Sequence, residues 1–266
     1  MEVPENMTLP CSLPTGQVCK LCGKELYIFK AKFFGVIKQF PITCKCRIDE
    51  INRRKEKEKL DEKKRYFERL FKQSRLGERF RNSCFDKYKV TKENKFIFDK
   101  ITNYSENFSE NKKKSILLSG PPGTGKTMIA SAIVNYLLKK GIVSIFVSVP
   151  DLLSQIITTY SSDTATTEAD ILKGLTDCEF LVLDEIGIRK PREKDSWVAE
   201  KLYQIINSRY ANMKATIFTT NCDLNDLSDR LGFMTFTRIM EMTIGLNFDF
   251  EEVPDYRMMT VINSRK

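Results

Sequence analysis

The sequence has no histidine among its 266 residues and only one tryptophan. Without an imidazole, the chain cannot use histidine as a general acid or base, and no metal site in it can contain a histidine ligand. It also has no run of about 18 apolar residues, so we expect no membrane-spanning segment. The opening stretch, MEVPENMTLPCSLP, has neither the basic nor the apolar region of a signal peptide, and we therefore expect a cytoplasmic protein.

Basic residues are in excess along the chain, with 44 Lys and Arg against 35 Asp and Glu, a net charge of +9. Such an excess is typical of proteins with an anionic partner such as nucleic acid, although basic surfaces also occur without one. Residues 47–75 hold 12 Lys or Arg and 7 Asp or Glu, which gives +5 of the total. Because they contain no Gly or Pro, we predict a charged connecting helix there. It either contacts nucleic acid or serves only as a solvated linker.

Five of the eight cysteines fall within the first 46 residues. Four of them form two close pairs, Cys19 with Cys22 and Cys44 with Cys46. Two such pairs separated by a loop are typical of tetrahedral Zn²⁺ held by four thiolates, and the intervening FKAKFFGVIKQFPITC predicts a hairpin. We predict a zinc module over residues 1–50, which needs the metal because it is too small for a sizeable core. Cys11 is a further candidate ligand, and free thiols without metal are the alternative.

Further along, short apolar runs alternate with helical stretches. The predicted strands are SILLS (115–119), SIFVSV (144–149), EFLVLDE (179–185) and ATIFTTN (215–221), and the predicted helices are 126–140, 151–159, 168–175 and 197–212. Continuous apolar strands separated by helices indicate a parallel sheet covered on both faces. We therefore predict a three-layer α/β domain over residues 81–266, with residues 51–80 as a charged helical linker.

A glycine-rich turn follows the first of these strands and matches G-x-x-x-x-G-K-[ST] at every position. Backbone N–H groups of such a loop, together with the positive end of the next helix, bind phosphate. The lysine of the motif reaches the β and γ phosphates, and its threonine can ligate Mg²⁺. The predicted nucleotide-binding residues are Gly120, Pro121, Pro122, Gly123, Thr124, Gly125, Lys126, Thr127 and Met128.

Two acids stand at the end of the strand FLVLDE, where ligands bind in open α/β sheets. Asp184 is placed to hold Mg²⁺, and Glu185 is placed to orient and polarise an attacking water. The next strand ends in Thr219, Thr220 and Asn221, any of which can reach the γ-phosphate or the water from the other side. Together these residues predict a site that hydrolyses a nucleoside triphosphate. No N-K-x-D motif is present, which argues against a GTPase.

Four stretches in this order resemble the DnaC/DnaI helicase-loader branch of the AAA+ ATPases, and also their relative, the IstB transposition helper. The stretches are LLSGPPGTGKTMIASAIVNYLLKKG, VSVPDLL, EFLVLDEIGIRKP and EKLYQIINSRYANMKATIFTTN. The resemblance covers about residues 80–262. It implies an AAA+ fold with C-terminal helices and strand elements, and a weak ATPase that binds ATP or ADP and is stimulated by DNA.

The resemblance also implies roles for individual residues. Lys126 and Thr127 match the nucleotide-binding pair, and Asp184 and Glu185 match the Mg²⁺-binding and water-activating acids. Three further roles are assigned to Asn221 as the first sensor, Arg238 as an arginine finger and Arg257 as the second sensor. Arg230 competes with Arg238 for the role of the finger, which in this family acts on the nucleotide of a neighbouring subunit.

The function implied by this resemblance is loading of a replicative DNA helicase onto single-stranded DNA by an ATP-dependent oligomer. Family members bind DNA through an insertion after the second strand, expected here within residues 150–175, where Lys173 is the single basic residue. In DnaI-like loaders a zinc module contacts the helicase. Two alternatives stay open: an IstB-like ATPase helper of a transposase, and a zinc-bearing DNA-binding adaptor that binds ATP without useful turnover.

Overall fold

The computed structural model describes residues 12–33, 36–70, 78–161, 166–187 and 196–263. The chain forms two compact units, residues 1–64 and residues 65–266, called here the N-terminal and C-terminal units. The predicted domain limits near residues 50 and 80 stay predictions, and Cys11 lies outside the described residues. None of the helices in the described ranges combines the length and apolar character that crossing a bilayer requires.

The N-terminal unit begins with a three-stranded antiparallel sheet. Its strands are β1 (Ser12–Val18), β2 (Glu25–Phe33) and β3 (Val36–Ile42), in the order β1-β2-β3. The hairpin predicted between the cysteine pairs is confirmed, since β2 and β3 pair from Tyr27 opposite Ile42 to Phe33 opposite Val36. The helix predicted over residues 47–75 is observed as α1 (Lys45–Leu70), and its predicted last residues, 71–75, lie outside the described ranges.

The C-terminal unit is built around a five-stranded parallel sheet. Its strands are β4 (Ile116–Ser119), β5 (Ser144–Ser148), β6 (Phe180–Asp184), β7 (Thr216–Thr219) and β8 (Asn247–Asp249), in the order β5-β6-β7-β4-β8. Every pairing between neighbours is parallel. The predicted fold is therefore confirmed, and β8 adds an edge strand that no apolar run had indicated.

Helices precede the parallel sheet, connect its strands and follow its last strand. They are α2 (Glu78–Arg81), α3 (Lys95–Glu106), α4 (Phe108–Asn111), α5 (Lys126–Lys139), α6 (Val149–Thr158), α7 (Glu168–Asp177), α8 (Ser196–Ala211), α9 (Leu224–Leu231), α10 (Phe233–Met242) and α11 (Tyr256–Asn263). The four predicted helices correspond to α5, α6, α7 and α8. A short 3₁₀ helix, Phe85–Lys87, precedes α3. The predicted insertion falls on α6 and α7, apart from residues 162–165, which lie outside the described ranges.

Local chemistry explains where α6 and α7 begin. The Ser148 hydroxyl accepts the Asp151 N–H, so α6 starts directly after β5. Thr167 and Asp170 form a reciprocal capping box, in which each side chain accepts the other residue's backbone N–H. Such caps satisfy N–H groups that have no partner inside the helix.

Strand β6 is buried along its whole length and lies between β5 and β7. Helix α5 packs Ile129, Ile133 and Leu137 into the same core as the strands. Because all strands run in parallel, their carboxyl ends meet at one edge of the sheet. The loop after β4 and the residues that follow β6 and β7 are thereby brought together.

Candidate nucleotide site

The loop from residue 120 to residue 127 leads from β4 into α5, as the motif predicts. The Lys126 side chain is buried, and its Nζ donates to the carbonyl oxygens of Gly120 and Pro121, both at 2.6 Å. Burial lowers the pKa of Lys126 to about 8, and Asp184 opposes this effect. The third contact of Lys126 Nζ within the loop is the Thr124 hydroxyl at 3.4 Å. An ammonium group held by neutral oxygens of the loop can exchange these partners for phosphate oxygens, which are stronger acceptors.

Close approach requires glycine within this loop. Gly123 has a φ of +83°, and a Cβ atom at this position would lie 2.1 Å from the Asp255 carboxylate. The Gly123 carbonyl also accepts the Tyr256 N–H at the start of α11. A side chain at position 123 would therefore push aside the Asp255 carboxylate, which accepts the backbone N–H groups of Arg257 and Met258 at the start of α11.

Asp184 ends β6 with a carboxylate that is almost fully buried. Thr127 Oγ1 donates to it, 3.1 Å from Oδ1 and 3.2 Å from Oδ2, and Thr219 Oγ1 donates to Oδ1 at 2.6 Å. Burial raises the pKa of Asp184 to about 6, and the two hydroxyl donors act in the opposite direction. Thr127 and Asp184 together offer hard oxygen donors of the kind that Mg²⁺ prefers, so these residues fit a magnesium ion.

Glu185 follows Asp184 in an unusual backbone conformation. Its φ is +64°, in the left-handed region that residues other than glycine rarely adopt. Its N–H donates to Thr219 Oγ1 at 2.9 Å. Strain of this kind in a polar residue at the carboxyl end of a parallel strand points to a functional constraint.

A cavity of about 710 Å³ opens beside the loop. The predicted site residues that line it include Lys126, Thr127, Met128, Glu185, Asn221 and Arg257. Residues far apart in sequence thus line one cavity, to which Lys126 and Arg257 contribute basic side chains and Glu185 an acidic one. The volume and the loop that forms one wall suit a nucleoside triphosphate.

Several lining residues escaped sequence reasoning, among them Tyr88, Lys89 and Tyr256 as side chains of the cavity wall. Tyr88 is buried, stacks on Phe98 with ring centroids 5.6 Å apart and lies against Gly125. No motif marks these residues, because they come from the segment before the sheet and from the start of α11. Thr220, one of the polar residues considered at the end of β7, instead donates to the Ile186 carbonyl.

Arg238 is not among the residues that line this cavity. It lies on α10, where its guanidinium stands over the Tyr203 ring, 4.9 Å from the centroid. Its Nη1 donates to the Met234 carbonyl at 2.9 Å. The structure therefore does not bring Arg238 together with Lys126 and Glu185 of the same chain.

Arg230, the competing candidate, is engaged within its own chain. Its Nη1 donates to the Gly187 carbonyl at 2.6 Å, and its Nη2 pairs with the Asp226 carboxylate at 2.9 Å. Arg230 thus connects α9 to the residues that follow Glu185. Arg238 is also held within its own chain, but among the described residues no carboxylate pairs with its guanidinium, so it is the better candidate for contact with an anion of another molecule.

The four predicted zinc ligands of the N-terminal unit form one cluster, in which all Sγ atoms lie within 4.8 Å of one another. Individual Sγ–Sγ distances are 3.3 Å for Cys19–Cys46, 3.4 Å for Cys22–Cys44 and 3.2 Å for Cys44–Cys46. These distances are too long for a disulfide bond. They approach the ~3.8 Å expected between thiolates around one tetrahedral Zn²⁺, so the donor set fits this metal.

The turn after Cys19 orients its thiol. The Gly23 N–H donates to the Cys19 carbonyl, and the φ of +69° at Gly23 lies in the left-handed region that favours glycine. The backbone N–H groups of Leu21 and Cys22 lower the pKa of the Cys19 thiol to about 6. Such a turn favours the thiolate, which is the form that binds metal.

The parallel sheet and the geometry of its loop identify the C-terminal unit as an α/β nucleotide-binding domain with a phosphate-binding loop. The model of the family described as IstB-like ATP binding protein matches residues 46–241, well over half of the chain. The chain therefore belongs to the family of IstB-like ATP-binding proteins.

Curated relatives and solved structures agree with this assignment. The chain is 30% identical over 191 residues to the replicative helicase loader DnaC of Buchnera aphidicola subsp. Acyrthosiphon pisum, covering 71% of this chain and 76% of that relative. The crystal structure of the DnaC helicase loader is 30% identical with a TM-score of 0.55, covering 65% of this chain and 99% of that one. The crystal structure of DnaI, 23% identical with a TM-score of 0.51, covers 68% and 94% and supports the fold alone.

The cysteine cluster yields a prediction about metal content. Replacement of Cys22 or Cys44 by Ser removes one thiolate from a closed four-ligand site, so the variant should lose its metal and the N-terminal unit should unfold. Elemental analysis of freshly purified, metal-replete protein should give about one zinc per parental chain. Cys84→Ser, outside the cluster, is the matched control and should keep the metal. A parental zinc content near zero would contradict the assignment.

Proposed function

We propose that this protein is an ATP-dependent loader that binds a replicative DNA helicase and helps place it on single-stranded DNA. The observation that carries the proposal is the single cavity in which Lys126, Thr127 and Glu185 meet beside Asp184. Relatives at 30% identity are named replicative helicase loaders, which favours loading over the transposase-helper alternative.

ATP hydrolysis is the reaction that these residues suit. Thr127 and Asp184 would hold Mg²⁺, which when bound neutralises charge on the phosphates. Lys126 binds the β and γ phosphates, and Glu185 orients and polarises the attacking water. Asn221 faces the same cavity and serves as the first sensor, while Arg257 approaches from the start of α11. Turnover is weak and rises with single-stranded DNA.

Self-association follows from the position of Arg238. Its guanidinium does not line its own chain's cavity, which supports the proposal that it acts on the nucleotide of a neighbouring subunit. Close to it on α10, Phe233 and Met234 are 73% and 60% exposed. Apolar side chains beside a guanidinium are suited to burial against a second subunit. ATP therefore joins chains into an oligomer whose sites are completed at the subunit boundaries.

The N-terminal unit is the part of the protein that binds the helicase. One face of its hairpin carries Tyr27 and Val36, which are 39% and 60% exposed. Its small sheet has little core of its own, so zinc supplies the stability and the apolar side chains remain available to a partner. The C-terminal unit contacts the DNA. Lys173, the basic residue of α7, and backbone amides bind the phosphates of the DNA strand.

A DNA-binding adaptor that binds ATP without turnover remains the alternative from another functional class. The complete set of Lys126, Thr127, Asp184 and Glu185 favours an active ATPase. An ATPase assay separates these two functions, and co-purification separates a helicase partner from a transposase. Capture of a transposase in place of a helicase would overturn the proposal.

Glu185→Gln should bind ATP with parental affinity and lose turnover by about 100-fold or more, because the water loses its base while the phosphate contacts remain. The measurements are ATP affinity by calorimetry and phosphate release, both with and without single-stranded DNA. Glu179→Gln, at an exposed position just before the same strand, is the control and should turn over normally. Parental turnover by Glu185→Gln would refute the assignment.

Arg238→Ala should bind ATP in each subunit and fail to hydrolyse it. Mixing it with Lys126→Ala, which cannot bind nucleotide but has an intact finger, should restore part of the phosphate release. The rescued site combines the Arg238→Ala subunit's loop with its neighbour's Arg238. Absence of rescue at every mixing ratio, with assembly confirmed by light scattering, would exclude a finger acting between subunits. The same behaviour by Arg230→Ala would transfer the role to Arg230.

A fragment from residue 76 onwards should retain ATP binding and lose helicase capture. Because truncation removes a whole unit, the full-length double variant Tyr27→Glu, Val36→Glu provides the sharper test. It leaves the cysteines intact, so zinc should remain while co-purification of the helicase falls by about tenfold or more. Lys30→Glu, on the opposite face of the hairpin, is the control. Undiminished capture by the fragment would move the partner site to the C-terminal unit.

A further inference from the structure

Thr219, the last residue of β7, is connected to both acids of the nucleotide site. Its side chain is buried, with 2% of its surface exposed. Its Oγ1 donates to Asp184 Oδ1 at 2.6 Å and accepts the Glu185 N–H at 2.9 Å. A hydroxyl has a single hydrogen, and this hydrogen is used on the carboxylate while a lone pair takes the amide. The two hydrogen bonds therefore run in one direction, from the Glu185 amide to the Thr219 hydroxyl and from this hydroxyl to the Asp184 carboxylate.

The Thr219 hydroxyl affects the two acids differently. At Asp184 it fixes the rotamer of a buried carboxylate that would otherwise be held by Thr127 alone. Because a hydroxyl has two lone pairs, Thr127 can ligate a magnesium ion and still donate its hydrogen to Asp184, and the second donor, Thr219, holds Oδ1 so that the carboxylate keeps one orientation toward the ion. Burial strengthens such a charge-assisted hydrogen bond.

At Glu185 the same hydroxyl holds the backbone. The left-handed conformation with φ of +64° is unfavourable for a residue with a side chain. The hydrogen bond from the Glu185 N–H to Thr219 offsets part of this cost and fixes the direction in which the Glu185 side chain leaves the strand. Its neighbour Ile186 is held separately, through its N–H to the Thr219 carbonyl.

We propose that Thr219 is a positioning residue for ATP hydrolysis, which sets Asp184 for the metal and Glu185 for the water through one hydroxyl group. The proposal rests on the proposed ATPase function and deepens it, because it names what aligns the two acids. Thr219 does not need to touch the nucleotide for this role. The adjacent Asn221 faces the cavity and remains the sensor.

The kinetic test compares Thr219→Val, which keeps the shape and loses the hydroxyl, with Thr219→Ser, which keeps the hydroxyl. Thr219→Val should lower kcat by about 10- to 100-fold and raise KM for Mg-ATP by less than about tenfold, since a small misplacement of reacting groups costs this much in rate. Thr219→Ser should recover most of kcat. Thr220→Val is the matched control: Thr220 is equally buried but its hydroxyl donates to the Ile186 carbonyl. It should lower the melting temperature without lowering kcat comparably.

A binding measurement tests the inference independently of turnover. In EDTA, Thr219→Val should bind ATP as tightly as the parent, because the loop and Lys126 are untouched. With Mg²⁺ added, the gain in affinity should be at least about threefold smaller than in the parent or in Thr220→Val. Equal gains and equal kcat in Thr219→Val and the parent would overturn the inference. A Thr219→Ser variant as impaired as Thr219→Val would also overturn it, since packing would then explain the loss.

These outcomes separate the inference from the proposed function. A parental protein that binds ATP with Mg²⁺ and does not hydrolyse it would refute the proposed ATPase function. The Mg²⁺-dependent gain in affinity would still decide whether Thr219 positions Asp184.

Discussion

The C-terminal unit depends on one buried carboxylate, that of Asp184, and on the hydroxyl groups that hold it. A carboxylate taken out of water must find donors, and burial raises the pKa of Asp184 to about 6 although two hydroxyl donors act in the opposite direction. Thr127 at the start of α5 and Thr219 at the end of β7 supply those donors. The same hydrogen bonds therefore connect the phosphate-binding loop, β6 and β7. The order of the strands and the chemistry of the site thus depend on one another.

Strand order also explains why the cavity has two different sides. The loop after β4 lies between β7, whose end leads to Asn221, and β8, which leads to α11. The acids of β6 lie on the β7 side, whereas Tyr256 and Arg257 come from beyond β8.

The sequence predicted the parts of the site that local chemistry determines. The loop motif and the apolar run before Asp184 need only neighbouring residues to define them, and the spacing of the four cysteines likewise predicted their cluster. The edge strand β8 could not be predicted, because three residues with one buried side chain carry no periodic signal. The contact of Thr219 with both acids could not be predicted either, because it depends on the register between β6 and β7.

Arg238 illustrates a different limit of sequence reasoning. Its assignment came from resemblance, and its surroundings are set by the packing of α10 on α8, where Tyr203 lies under the guanidinium. No sequence pattern in either helix indicates this contact. Where a guanidinium acts between subunits, even the structure of one chain gives only half of the arrangement.

We propose that Asp184, held by Thr219, and Thr127 together hold the magnesium ion of a bound nucleotide. A crystal structure of the full chain with Mg²⁺ and a non-hydrolysable ATP analogue tests this arrangement directly. We expect a metal about 2.1 Å from Thr127 Oγ1, with Asp184 in its coordination shell, directly or through water, and the Thr219 hydrogen bonds to both acids retained. A nucleotide bound elsewhere, or a metal with no contact to these residues, would contradict it.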